Sequence, residues 1–303
     1  MVNNGLYLSR NEAFYNCRIK CRRDSSGALI PYEKMYADRM IFNPDGVVIS
    51  DRTKAIDWRL AYDEANAELF GGKFSQCPIY RTVPDKSANI DRSKRRAVSR
   101  IRDIIMCNDF DCFVTLTLDG SLVDRSDYAA VIKKLNTFLD NRVRRSGLRY
   151  VGVPELHKKG GLHFHLLCNS SALALADSGT VSCTGRKRPI KVATADRLHI
   201  PDSDRHTVYN VTDWKLGFST AIMTYGNTGA VARYIGKYIS KGSEKVGGRW
   251  YYSGGKLSEP VCLYERGGFA DFKDFTYQFE CDGGHYKILC YDDKGGAIYG
   301  DPI

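Results

Sequence analysis

Apolar residues recur at two different periods through the middle of this chain. Asp91 can cap a helix running to about Asn108, in which Ala97, Val98, Ile101, Ile104 and Ile105 share one face. FVTLTL (113–118) is rich in β-formers and predicts a buried strand. Ser126 opens a second helix to about Arg145, with Val131, Ile132, Leu135, Phe138, Leu139 and Val143 turned inward. YVGVPELH (150–157) and LHFHLLC (162–168) predict two strands, joined by the hairpin turn Lys158-Lys159-Gly160-Gly161. WKLGFSTAIMTY (214–225) predicts a further strand, and VARYIGKYISK (231–241) a helix ended by Gly242. The order predicts an α+β fold, an antiparallel β-sheet with helices packed on one face.

The flanks are less periodic. Residues 170–212 are polar and basic apart from a short ALALA, and read as a long loop or insertion. Asn43-Pro44-Asp45-Gly46 between apolar runs predicts a hairpin, and residues 57–70 a short helix stopped by Gly71-Gly72. Residues 243–303, rich in Gly and Tyr, predict β-hairpins packed on the core. The expected division is an N-terminal extension (1–85), a central core (86–245) and a C-terminal β-rich extension (246–303).

Composition narrows the class. With 303 residues, 43 % apolar and 12 % aromatic, the chain can bury a large core. Its 45 Lys+Arg against 35 Asp+Glu give a net charge of +10, which favours a polyanionic partner through counterion release and steering. No apolar run approaches the roughly 18 residues of a membrane span, and the first residues lack a signal-peptide core. The ten cysteines include no CxxC pair. The expectation is reduced, mostly buried thiols in a cytoplasm, with a zinc knuckle at Cys17/Cys21 as the alternative. No GxxxxGK[ST] phosphate loop occurs, which argues against an ATPase or helicase within the chain.

The chemistry centres on His163-Phe164-His165. Residues i and i+2 of a strand point to one face, so two imidazoles stand together while Phe164 points into the core. Glu155, on the partner strand, is the favoured third ligand because a hard cation prefers oxygen. His157 competes, since it shares strand parity with Glu155. Such a set suits Mg²⁺ or Mn²⁺. Tyr234 and Tyr238, four apart on a helix, share a face, and Lys237 and Lys241 each follow a tyrosine by three positions. Phenol nucleophiles beside cations suit phosphate chemistry. Thr115 and Thr117 of FVTLTL are placed to face the same site. Taken alone, each pattern has a plainer account: polar residues on an exposed strand, tyrosines packed on a helix.

LTL, LHFHLL and ARYIGKYISKG, in that order, resemble the three motifs of the HUH replication initiators. YIGKYISK is similar to the doubled tyrosine motif of microvirus initiators, and Asp91–Phe113 followed by VTLTL resembles the gene II protein class of filamentous phages. The resemblance covers about residues 91–245. It implies an RRM-like nuclease core and a rolling-circle initiator. Such an enzyme nicks single-stranded DNA at an origin through a 5′-phosphotyrosine, with a divalent metal on His163, His165 and Glu155. Tyr238 and Tyr234 would be the nucleophiles, with Lys241 and Lys237 beside them. Arg95, Arg96 and Arg100 on the first helix, and Arg186, Lys187 and Arg188 in the insertion, are candidates to grip DNA. A host helicase and DNA polymerase would be partners, in the cytoplasm of a bacterial cell. A two-tyrosine HUH transposase and a non-enzymatic single-stranded nucleic-acid-binding protein are the alternatives.

Overall fold

The computed structural model describes residues 15–38, 86–156, 161–186, 188–224, 228–241, 245–270, 272–281, 284–291 and 297–298. In chain order the strands are β1 (Cys17–Arg23), β2 (Leu29–Ala37), β3 (Cys112–Leu118), β4 (Tyr150–Leu156), β5 (Leu162–Cys168), β6 (Leu175–Cys183), β7 (Ile190–Lys191), β8 (Arg205–Val211), β9 (Gly217–Met223), β10 (Tyr252–Gly254), β11 (Val261–Glu265), β12 (Tyr277–Cys281), β13 (Gly284–Tyr291) and β14 (Ala297–Ile298). The helices are α1 (Lys86–Met106), α2 (Tyr128–Ser146), α3 (Val192–Arg197) and α4 (Thr228–Lys241). They fall into two units, residues 85–259 and residues 1–84 with 260–303.

The central unit is built on an eight-stranded sheet in the order β10-β4-β5-β3-β9-β8-β6-β7, with antiparallel pairing throughout. The α+β class with an antiparallel sheet is thus what the structure shows. The helices, expected on one face, cover both. Val131, Leu135 and Leu139 of α2 pack with Val114, Leu116, Phe164 and Leu166. Ala97, Ile101, Ile104 and Ile105 of α1 join Ala232, Ile235 and Ile239 of α4 over Val151, Val153 and Leu167 on the opposite face. The cause is visible in the strands: β4 and β5 are apolar at both odd and even positions, so each face needs its own cover.

α2 is capped as its sequence suggests, one residue later than expected. The Asp127 carboxylate accepts from the Ala130 N–H at 3.0 Å, and Gly147 takes the left-handed conformation (φ 69°) that ends the helix. α1 begins at Lys86, so Asp91 lies inside the helix and does not cap it. α1 and α4 pack closely, and a Cβ on Gly236 would stand 3.4 Å from Val98 Cγ1.

Residues 170–212 are ordered, contrary to the loop reading. β6 and β8 extend the sheet, and Val181, Cys183 and Ala195 form a small core of their own. The register shift between Asp177 and Thr180 breaks the apolar alternation that would have announced β6. Residues 246–259 belong with the central unit rather than with a C-terminal extension. β10 pairs with β4, the Trp250 indole N–H donates to Ser93 Oγ at 3.0 Å, and Ser258 N–H donates to the Asn108 side-chain oxygen at 2.9 Å.

The second unit is one antiparallel sheet, β11-β1-β2-β13-β12 with β14 on β13. Segments from both ends of the sequence, read as separate extensions, therefore share one sheet. Lys20 and Glu33 form a buried ion pair at 3.3 Å between β1 and β2. The hairpin expected at 43–46 and the helix at 57–70 lie outside the described residues. Eight described cysteines form no disulfide, and six of them are buried. Burial pushes the Cys17 thiol up to about 11. No helix among the described residues is long and apolar enough to cross a membrane.

Candidate active site

Two transverse rows of side chains define the site. Strand register sets Glu155 beside His163, His163 beside Thr117, and Thr117 beside Phe218. The next row runs Val153, His165, Thr115, Thr220. Register partners share a face, so both histidines, Glu155 and both threonines stand on the α1/α4 side. Phe164 points to the α2 side and is fully buried, as the i, i+2 pattern requires.

The imidazoles are held from behind. Thr117 Oγ1 lies 2.9 Å from His163 Nδ1, and Thr115 Oγ1 lies 3.1 Å from His165 Nδ1. Nε2 of His165 meets the Glu155 carboxylate at 2.7 Å. A neutral His165 satisfies both contacts if Nε2–H donates to Glu155 and Nδ1 accepts from the Thr115 hydroxyl. Burial lowers the His165 pKa, and the Glu155 hydrogen bond and charge oppose that shift. The net direction keeps this imidazole neutral, the form that binds metal.

α4 lays its two tyrosines over this floor. Ala232, Ile235 and Ile239 are its buried stripe, and Tyr234 and Tyr238 flank that stripe at helical spacing. The Tyr238 ring stacks on His165, with centroids 4.1 Å apart and planes at 20°. Its hydroxyl donates to the Tyr234 hydroxyl at 2.7 Å. Burial, that hydrogen bond and the charge of Glu155 all raise the Tyr238 pKa above the ordinary phenol range. Tyr234 is 47 % exposed. Phe113, which the sequence reading did not single out, completes the packing at 5.8 Å from the His165 ring and 5.5 Å from that of Tyr234. Its signal was available, since it shares strand parity with Thr115 and Thr117.

The structure brings together His163, His165, Glu155, Tyr234 and Tyr238. Lys237 is exposed on α4, while the Lys241 side chain, His157 and Lys187 lie outside the described residues. Arg95 and Arg96 are exposed on α1. Arg100 is engaged by both oxygens of Glu259, which competes with any DNA contact. Arg186 and Arg188 are exposed beyond the end of β6. That strand is fourth along the sheet from β5, hence about 19 Å away.

Among the described residues, no group of three or more His, Cys, Asp or Glu stands as a ready metal cage. The donor set of His163, His165 and Glu155 nevertheless fits a divalent cation in chemistry: two imidazoles and one carboxylate on one sheet face. The His165–Glu155 hydrogen bond would open, and His165 would turn to the tautomer whose Nδ1–H donates to Thr115. A hydroxyl accepts as readily as it donates, so Thr115 permits either tautomer.

Residues 111–243, somewhat under half the chain, match the sequence model of a family described as replication-associated proteins of the ORF2 and gene II protein type. The matched region runs from the residue before β3 to the residues just after α4, and so contains the whole site. The chain is thus similar to replication-associated proteins, in keeping with a role in starting rolling-circle replication. The microvirus likeness rests on YIGKYISK alone. No curated protein and no solved structure matches the chain.

Proposed function

We propose that this protein is a metal-dependent endonuclease that nicks and rejoins single-stranded DNA to start rolling-circle replication. The observation that carries this reading is the stack of Tyr238 on His165, 4.1 Å between rings, with the Tyr234 hydroxyl 2.7 Å from that of Tyr238. A nucleophile, a spare nucleophile and a neutral imidazole–carboxylate pair meet at one point on the sheet. The family likeness to replication-associated proteins supports the same reading.

His163, His165 and Glu155 would hold Mg²⁺ or Mn²⁺. When bound, the ion neutralises charge on the scissile phosphate and polarises it for attack. Thr115 and Thr117 fix the rings that hold it. The tyrosine oxygen forms a bond to phosphorus as the bond to the 3′ oxygen breaks. The departing oxygen takes a proton and leaves as a 3′-OH, with a 5′-phosphotyrosine on the enzyme. The Tyr238 proton can depart along its hydrogen bond to Tyr234, which opens to solvent. Lys237, exposed and three residues after Tyr234 on α4, would offset phosphate charge. The phosphotyrosine conserves the phosphodiester bond, so rejoining needs no ATP. The freed 3′-OH would prime a host polymerase behind a host helicase, in a bacterial cytoplasm.

A non-enzymatic single-strand binder would need neither the paired hydroxyls nor the His165–Glu155 contact. Incubation with a pool of single-stranded oligonucleotides and Mn²⁺, followed by sequencing of strands covalently trapped on the protein, tests the proposal. Strands trapped at one shared sequence are expected. Binding with no covalent product in any metal overturns it.

A further inference from the structure

Phe218 is 69 % exposed, the largest exposure among the large apolar residues of the described chain. A lone exposed aromatic needs no explanation by itself. Its address is what matters. Phe218 is the last member of the row Glu155, His163, Thr117, Phe218. It stands two strand spacings, about 10 Å, from His163 on the same face of the sheet. Its neighbours on that face are polar and open: Thr220 two residues on, and Asn210 on β8, both exposed. Parity puts Asn210 there, because Val208 pairs with Ile222.

A protein-binding hot spot sits inside an apolar surround. A single ring among hydroxyl and amide groups instead suits a nucleobase, whose π-face stacks while its edge hydrogen-bonds. The charge is right as well: the chain carries +10 overall. We infer that Phe218 is a nucleobase platform, on which a base flanking the scissile phosphate stacks, in the same strand row as Glu155 and His163. The inference rests on the strand-nicking reading for the identity of that phosphate, and on the register row for the position of the base.

The test is binding of fluorescein-labelled oligo-dT and of an abasic strand of equal length, in EDTA, so that no cleavage intervenes. Phe218→Ala should bind oligo-dT about tenfold more weakly than wild type and the abasic strand equally well. Phe218→Trp should restore affinity, and its added fluorescence should be quenched by oligo-dT. An equal loss on both strands, no loss on either, or a change in oligomeric state with Phe218→Ala each overturns the inference. A nicking assay with Mn²⁺ on wild-type protein separates the two readings. Base discrimination without nicking leaves the platform and removes the nuclease; nicking that Phe218→Ala leaves untouched, with no loss of oligo-dT affinity, does the reverse.

Discussion

Phe164, Leu166 and Cys168 leave one side of β5 for an interior closed by Val131, Leu135 and Leu139 of α2. His163 and His165 leave the other side, one residue away, under α4. Among the described residues, His165 is the one buried polar or charged side chain on any strand of the central sheet. It is admitted because both of its nitrogens have partners, Thr115 and Glu155. The two sides obey different rules. On the α2 side, volume decides and any well-packed apolar set would serve. On the α4 side, each polar atom answers to another, and changing one leaves its partner unsatisfied. Fold and chemistry thus share a strand without sharing residues.

The sharpest way to break this division is to mutate neighbours in sequence. His163→Ala and His165→Ala should each abolish nicking, by at least about a hundredfold, since a metal supplies several kcal/mol of stabilisation. Both should keep the wild-type circular dichroism spectrum. Phe164→Ala, between them, should lose about 3–5 kcal/mol of stability in urea titration. If the alanine variants unfold and Phe164→Ala does not, the two sides have been misassigned.

The tyrosines come next. Rolling-circle copying needs a second cut while the first tyrosine is still bonded to DNA, and Tyr234 and Tyr238 are within one hydrogen bond of each other. Tyr234→Phe and Tyr238→Phe should each spare some single nicking but block release of unit-length circles over repeated rounds. Tyr238 is expected to initiate. Phosphotyrosine found on only one residue after many turnovers makes this a single-tyrosine enzyme.

Smaller again is the choice of third ligand. Glu155→Ala should weaken Mn²⁺ binding well beyond the effect of His157→Ala. Titration of the two variants decides, and a larger loss with His157→Ala reverses the assignment. The smallest expected effect is Thr117→Val, which removes the 2.9 Å partner of His163 and none of the proposed metal ligands. About a tenfold loss of activity is expected, with metal affinity measured in parallel. No loss at all would make the threonine a packing residue.

Much of this arrangement was readable from the sequence. The strands 112–118, 150–156 and 162–168 and the helix of the doubled tyrosine carry regular periods, and the i, i+2 and i, i+4 rules sort their side chains. What periodicity cannot say is which face of a sheet a helix covers. The buried stripes of α1 and α2 were identified correctly, yet the two helices lie on opposite sides. β6 stayed hidden because its bulge changes parity midway, and α3 because six residues are too few to show a period. Arg100 looked free because its partner, Glu259, is remote in sequence.

The sheet of the second unit sets an order of events for the growing chain. β1 finds its outer neighbour in β11, with Cys21 beside Val261, and β2 finds its own in β13, with Met35 beside Ile288. The central unit is contiguous in sequence and can close while those later strands are still being made. Until they arrive, the β1–β2 hairpin has two open edges, the condition in which one chain can pair with another. Arg18, Lys20, Arg22 and Arg23 crowd the first of those strands, and Glu33 of the hairpin, paired with Lys20 and 3.8 Å from Arg18, offsets one of the four charges. Positive charge of that density repels a second copy of the same strand, and so guards the hairpin during its wait.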